Sequence, residues 1–215
     1  MKPIVEIKRL RSPFERPQAI AWDGSVFWMS SIVTDKIYAV DPASWTVKWE
    51  CAAPGKPWGI GAVPGDVRVI CANADDSERQ IRRCVPFEGF DPNFSVAVPD
   101  TCGSHLSFDG SRWNVSQWYL KKIVAINPTG AVERTVNLPR QVVGHTWALG
   151  GFSALLTDDE KTDDYWFSRV TPSGAEWRSE DRAHVPFQAR ALAFDGRHYW
   201  TNHREQHETV CFGLE

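Results

Sequence analysis

Apolar residues recur along this chain in runs of strand length and almost never in runs of helix length. Ala19-Ile20-Ala21-Trp22, Val26-Phe27-Trp28-Met29 and Lys36-Ile37-Tyr38-Ala39-Val40 follow one another with a turn or loop between them. Trp45-Thr46-Val47-Lys48-Trp49 then alternates, as a strand half open to water does. The same order returns at Leu106-Ser107-Phe108, Trp113-Asn114-Val115, Lys122-Ile123-Val124-Ala125-Ile126 and Val132-Glu133-Arg134-Thr135-Val136. No stretch carries a 3.6-residue apolar period with caps at both ends, so the pattern predicts an all-β protein.

Two markers give the period. Asp-Gly follows an aromatic residue at Trp22-Asp23-Gly24, Phe108-Asp109-Gly110 and Phe194-Asp195-Gly196, at intervals of 86, twice 43. Each is read as a two-residue hairpin turn, because both central positions tolerate positive φ. Prolines closing apolar runs at Pro42, Pro86, Pro128 and Pro172 are spaced 44, 42 and 44 apart. Periods of this length with four strands each are those of propeller blades. The 215 residues make five periods of 43, which predicts a single five-bladed β-propeller with blades at about 16–53, 57–98, 103–138, 143–180 and 188–213. The fifth period lacks its outermost strand, and the alternating segment at 3–10 is a spare one. Pairing them would close the ring and remove an exposed sheet edge.

Composition narrows the class of function. With 24 Lys+Arg against 27 Asp+Glu the net charge is −3, so nothing pulls the chain toward nucleic acid or an anionic membrane. Neither a signal peptide nor a membrane span is legible. Five cysteines without a pairing motif fit a reducing cytoplasm, and the sequence gives no indication of oligomeric state. Eleven tryptophans against two methionines are mostly read as filling between blades.

Positions that serve the fold should look alike in all five periods, whereas a binding site is free to differ. At the start of the inner strand one column reads Gln18, Trp58, Ser104, Gly144 and Arg190, and the next Ala19, Gly59, His105, His145 and Ala191. After the second strand stand Asn73, Gln117, Asp158, Asn202 and His203, with Trp118 beside them. The expected site is therefore the mouth of the central channel. His105 or His145 would be the general base there and Asp158 its partner or an electrostatic anchor. Arg190 would hold an anionic group, with Gln18, Trp58, Asn73, Gln117, Trp118, Asn202 and His203 as further substrate contacts. Arg190 paired with Asp158 across the channel is the structural alternative. No motif demands a cofactor, although the histidines would accept a divalent metal if they converge. The acidic run Thr157–Asp164 has the composition of a calcium loop without its spacing or glycine turn, so a solvated hairpin loop is expected.

The phrase Gln18-Ala19-Ile20-Ala21-Trp22-Asp23-Gly24-Ser25-Val26-Phe27-Trp28, followed by Lys36-Ile37-Tyr38-Ala39-Val40-Asp41-Pro42, resembles the repeats of the plant and bacterial glutamine cyclotransferases. The resemblance covers nearly the whole chain as a blade pattern, which streptogramin lyases and other propellers share. It implies five blades and an enzyme that converts N-terminal glutamine to pyroglutamate. By the same resemblance Gln18 matches the Gln of the family's Phe-Thr-Gln-Gly-Leu motif. The family's acidic catalytic residue, in a Tyr-Glu-Ser motif, falls on Met29. The expected function is a cyclase, lyase or hydrolase acting on a small polar or anionic molecule. The alternatives are a non-catalytic ligand binder and an interaction scaffold using Trp45, Trp49 and Trp177 as outer contacts.

Overall fold

The repeat folds as its pattern predicts. In the computed structural model, which describes residues 1–214, twenty strands form five four-stranded antiparallel sheets around a ring. The first blade comprises β2 (Pro17–Trp22), β3 (Phe27–Ser31), β4 (Lys36–Val40) and β5 (Val47–Ala52). The second comprises β6 (Lys56–Val63), β7 (Asp66–Ala72), β8 (Arg79–Val85) and β9 (Gly89–Ala97), and the third β10 (His105–Phe108), β11 (Trp113–Gln117), β12 (Lys122–Ile126) and β13 (Val132–Asn137). The fourth comprises β14 (Gln141–Ala148), β15 (Gly151–Thr157), β16 (Tyr165–Ser173) and β17 (Glu176–Val185). The fifth comprises β18 (Ala189–Phe194), β19 (Tyr199–His203) and β20 (Glu208–Gly213), and its outer strand is β1 (Val5–Arg11) from the other end of the chain. β1 pairs antiparallel with β20 from Val5↔Gly213 to Arg11↔Glu208, closing the ring as expected. A short latch extends the closure, because Ile4 N–H donates to His184 O and His184 N–H to Lys2 O on the outer strand of the fourth blade.

The core is distributed. Among the described residues, five apolar clusters each fill the wedge between two neighbouring blades, as sheets that twist and fan outward require. The closing wedge holds Ile20, Phe27, Met29, Ala191, Ala193 and Trp200. Trp45 stacks on Trp200 at 5.5 Å and donates to Arg11 O at 3.0 Å, while Trp49 and Trp177 pack against the edges of other wedges. The three tryptophans expected as outer contacts are thus half-buried parts of the core. Met29 is wholly buried too.

The Asp-Gly turns act through the aspartate. Trp22 pairs with Phe27, so Asp23 and Gly24 open a four-residue connection in which Gly24 takes φ +103° and Asp23 keeps an ordinary φ. The two-residue turn expected from the sequence is corrected accordingly. Asp23 accepts hydrogen bonds from Ser25 N–H (2.7 Å), Val26 N–H (2.9 Å) and, five residues on, Trp28 Nε1 (2.7 Å). Asp195 repeats the clamp on Arg197, His198 and Trp200. In the third blade the position five residues on is Asn114, and Arg134 donates instead to both Asp109 and Asn114.

The inner strands meet so closely at the axis that their level is closed by glycine. A Cβ at Gly59 would lie 2.3 Å from Ser104 O, and one at Gly144 2.5 Å from the carbonyl carbon of Ala191. Backbone cannot yield as a flexible side chain does, so Gly59→Ala is expected to destabilise the protein by about 2 kcal/mol or more. Urea denaturation measures this, and a midpoint unchanged from wild type would refute the close approach.

Candidate functional site

A β-bulge stands where each inner strand begins. Register shifts fall between Pro17 and Ala19, Pro57 and Gly59, Val142 and Gly144, and Arg190 and Ala193. In the third blade Ser104 N–H donates to Ser116 O while His105 also pairs with Ser116. A bulged residue belongs to neither face of its sheet and is re-aimed by the local twist. This geometry places Gln18 and Trp58 at the channel mouth and sets Arg190 at its edge.

The bulge also corrects the column for the fourth blade. Val143, not Gly144, is the extra residue, so Gly144 stands level with Ala19, Gly59 and His105, and His145 lies one step deeper. The two histidines therefore do not share a ring. Both are buried to within 2%. Burial, then the charges of His145 and Arg190, hold His105 at about 3, and burial lowers His145 to about 4. His145 Nε2 lies 3.3 Å from Asn114 O, and His105 Nε2 has no partner among the described residues.

Above them opens a cavity of about 480 Å3 whose walls come from four blades. On the side of the second blade, Trp58 donates to Asp76 at 2.8 Å, Arg79 pairs with Asp76 at 3.0 Å and stacks on the Trp58 ring at 4.6 Å. Arg79 also donates to Gly103 O at 2.6 Å, tying this platform to the third blade. On the opposite side, Arg190 donates to Tyr165 OH at 2.7 Å, lies 4.9 Å from the Trp118 ring and reaches Glu160 at 3.3 Å. Tyr119 donates to the other oxygen of Glu160 at 3.0 Å. Arg204 donates to Gln18 Oε1 at 2.9 Å and to Glu205 at 3.0 Å, and burial together with the nearby Arg190 charge lowers its pKa. Like charges set this close in a half-buried cleft favour an anion between them.

The expected residues divide into two groups. Trp58 and Trp118 line the mouth, and the buried Arg190 and Gln18 reach it through others, Arg190 through the Trp118 ring and Glu160 and Gln18 through Arg204. Gln117 is wholly buried and donates to Pro99 O at 2.6 Å, bracing the 3₁₀ turn Pro99–Thr101, and Asn202 is wholly buried with Thr209 donating to its Oδ1. Asp158 lies elsewhere: it is two-thirds exposed and pairs with Arg140 at 3.1 Å, so it orients neither histidine and does not meet Arg190. Asn73 only shapes its own loop through Ser77 and Glu78. His203 stacks on Phe187 at 5.1 Å and approaches Arg9, on the side of the closing strand. Cys102 borders the cavity, but burial raises its pKa, the reverse of what a thiolate nucleophile needs. Among the described residues no group of three His, Cys, Asp or Glu could hold a metal ion, so the histidines do not converge as ligands.

Sequence reasoning missed Asp76, Arg79, Tyr119, Glu160 and Arg204. Four of them lie in the loops that follow the second strands, and Arg79 opens the third strand of its blade. The available signal was that every such loop lands on the same face of the ring as the starts of the inner strands.

No family model matches the chain, and no curated protein is similar to it in sequence. Solved structures are similar in fold. Glutaminyl cyclase from Myxococcus xanthus superposes with a TM-score of 0.74 at 10% identity, over 100% of this chain and 99% of that one. The PQQ-bound aldose sugar dehydrogenase of Streptomyces coelicolor gives 0.64 at 12%, over 99% and 98%. The calcium-binding protein regucalcin from Agrobacterium tumefaciens gives 0.60 at 10%, over 100% and 95%. The fold is that of a glutaminyl cyclase-like five-bladed propeller. At these identities the likeness is one of fold, which hosts many chemistries.

The buried imidazoles give the fold a pH dependence with a definite sign. Both stay neutral in the folded protein below the ordinary 6.5 at which they would protonate when unfolded. Their contribution is therefore complete above that pH and is lost as pH falls toward about 4 and about 3. Urea denaturation at pH 5 against pH 7 is expected to show a loss on the order of 2 kcal/mol per imidazole, reduced in His105→Gln. An equal loss in wild type and variant would count against it.

Proposed function

We propose that the channel mouth binds a small organic anion with a flat or apolar portion, held between the Trp58 platform and the Trp118–Arg190 wall. The observation that supports this reading is the convergence of Arg79 and Arg204 with Trp58, Trp118 and Tyr119 around one cavity, with Arg190 packed on the Trp118 ring and paired with Glu160 of the lining. Guanidinium groups stacked on indoles keep their charge while the rings offer faces to a ligand. Asp76 is already held by Trp58 and by Arg79 Nη2, which donates to both its carboxylate oxygens, so that platform is rigid before any ligand arrives. Titration of tryptophan fluorescence with a panel of small aromatic and aliphatic carboxylates is expected to give saturable quenching. Arg190→Ala should weaken the best ligand about tenfold or more, the loss of one charge-assisted contact. Unchanged affinity in that variant would refute the reading.

A second reading, that the bound molecule is also transformed by a cyclase, lyase or hydrolase step, is favoured by Glu160. Its carboxylate accepts from Tyr119 and only at 3.3 Å from Arg190, which leaves lone pairs open toward the cavity. It takes the role expected for His105 or His145, as acceptor of a substrate proton. Mass spectrometry of the bound ligands after incubation would detect gain or loss of water or internal cyclisation. Glu160→Gln is expected to abolish turnover by about a hundredfold or more while binding persists. Turnover surviving in Glu160→Gln would remove the glutamate from that role.

A further inference from the structure

Where the last blade meets the first, hydrogen-bond donors gather without acceptors. Gln18 is wholly buried, and its amide orientation is fixed because Arg204 Nη1 donates to Oε1, so Nε2 must point its two N–H groups elsewhere. That nitrogen has no acceptor among the described residues. Asn202, two residues before Arg204 and opposite Arg190 in the sheet register, repeats the situation: Thr209 donates to Oδ1 and Nδ2 is unpartnered. Arg190 and Arg204, each at least four-fifths buried at the side chain, flank the pair, and burial with the nearby Arg190 charge lowers the pKa of Arg204. Buried polar groups are nearly always satisfied, and two orphaned amide donors beside two guanidinium groups ask for one acceptor-only partner.

The charges at this seam indicate which partner. Arg16, Arg190 and Arg204 stand against Glu160 and Glu205, so three guanidinium groups and two carboxylates leave one positive charge unmatched. A monoanion closes that balance, and a dianion such as phosphate overshoots it. A carboxylate is also planar and presents four lone pairs in one plane, which suits two amide N–H groups and a guanidinium edge.

We propose that the seam between the fifth and first blades is a carboxylate subsite, in which Gln18 Nε2 and Asn202 Nδ2, with Arg190 and Arg204, grip the carboxylate end of the ligand. This rests on the mouth being a ligand site and adds where the anionic group sits and what it is. The other cationic side of the mouth, Arg79, is committed to Asp76 and Gly103 O and serves as a platform for the flat part.

Benzoate and its neutral counterpart benzamide are the probes, read by tryptophan fluorescence and isothermal titration calorimetry on the full chain, with inorganic phosphate as competitor. The expected result is benzoate binding at least about tenfold tighter than benzamide, and about tenfold weakened by Gln18→Met and by Asn202→Asp. Arg140→Ala, which removes a cation outside the mouth that pairs with Asp158 and Asp181, should change it less than about threefold. Circular dichroism establishes which variants fold, and either of the two seam variants suffices. Benzoate affinity unchanged in a folded seam variant overturns the subsite while leaving the mouth as a ligand site. Failure of benzoate and of every carboxylate in the panel to bind overturns both, and tighter binding of phosphate than of benzoate overturns the carboxylate assignment.

Discussion

The close approach of five inner strands at the axis governs what the rest of the molecule can do. Gly59 lies against the Ser104 carbonyl and Gly144 against the backbone of Ala191, so at that level neighbouring inner strands touch backbone to backbone. His105 and His145 are buried beside these contacts and held neutral by that burial. Chemistry is displaced upward to the ends of the inner strands, where each strand bulges. Those positions are free of pairing constraints and carry Gln18, Trp58 and Ser104.

Distributing the core over five wedges has a further consequence. Each blade is buried only by its neighbours, so the ring is stable to the degree that its last wedge is filled. That wedge depends on β1 pairing with β20 and on the cluster of Phe27, Trp45 and Trp200, while the latch at Ile4 and His184 fastens the closing strand to the fourth blade. Gln18, Asn202 and Arg204 lie along the same seam. A ligand gripped there would bridge both ends of the repeat, and its binding free energy would add to the stability of closure by mass action.

The fold was legible because its determinants are local and repeated. The Asp-Gly turn, the proline after the third strand and the period-2 outer strand each recur, and ring closure follows from one missing strand. The site was half legible. Gln18, Trp58 and Arg190 stood out because they break a symmetric column. His145 was set one position too high because a single inserted residue, Val143, shifts everything after it by one, and one residue is the difference between one face of a strand and the other. Asp158 was set at the mouth because β15 runs on to Thr157 before turning, which carries the next residue out to Arg140. Glu160 and Arg204 could be found only as members of the loops that follow the second strands, since irregular loops have no period within which a single position stands out.

Similarity of fold at 10% identity to a glutaminyl cyclase has a physical explanation in the same division of labour. What the ring requires of a blade is little: a tight first turn, clamped by aspartate in three blades and two residues long in the second and fourth, apolar side chains facing the wedges, and one bulge. The clamp itself tolerates exchange, as Arg134 and Asn114 replace the tryptophan contact made by Asp23 and Asp195. A bulged side chain is re-aimed by the local twist, so the same place in the blade carries Gln18 or Trp58 beside the mouth and Val143 in the core. The residues that matter most for function are therefore the ones the fold constrains least, which is why the architecture persists where the ligand differs.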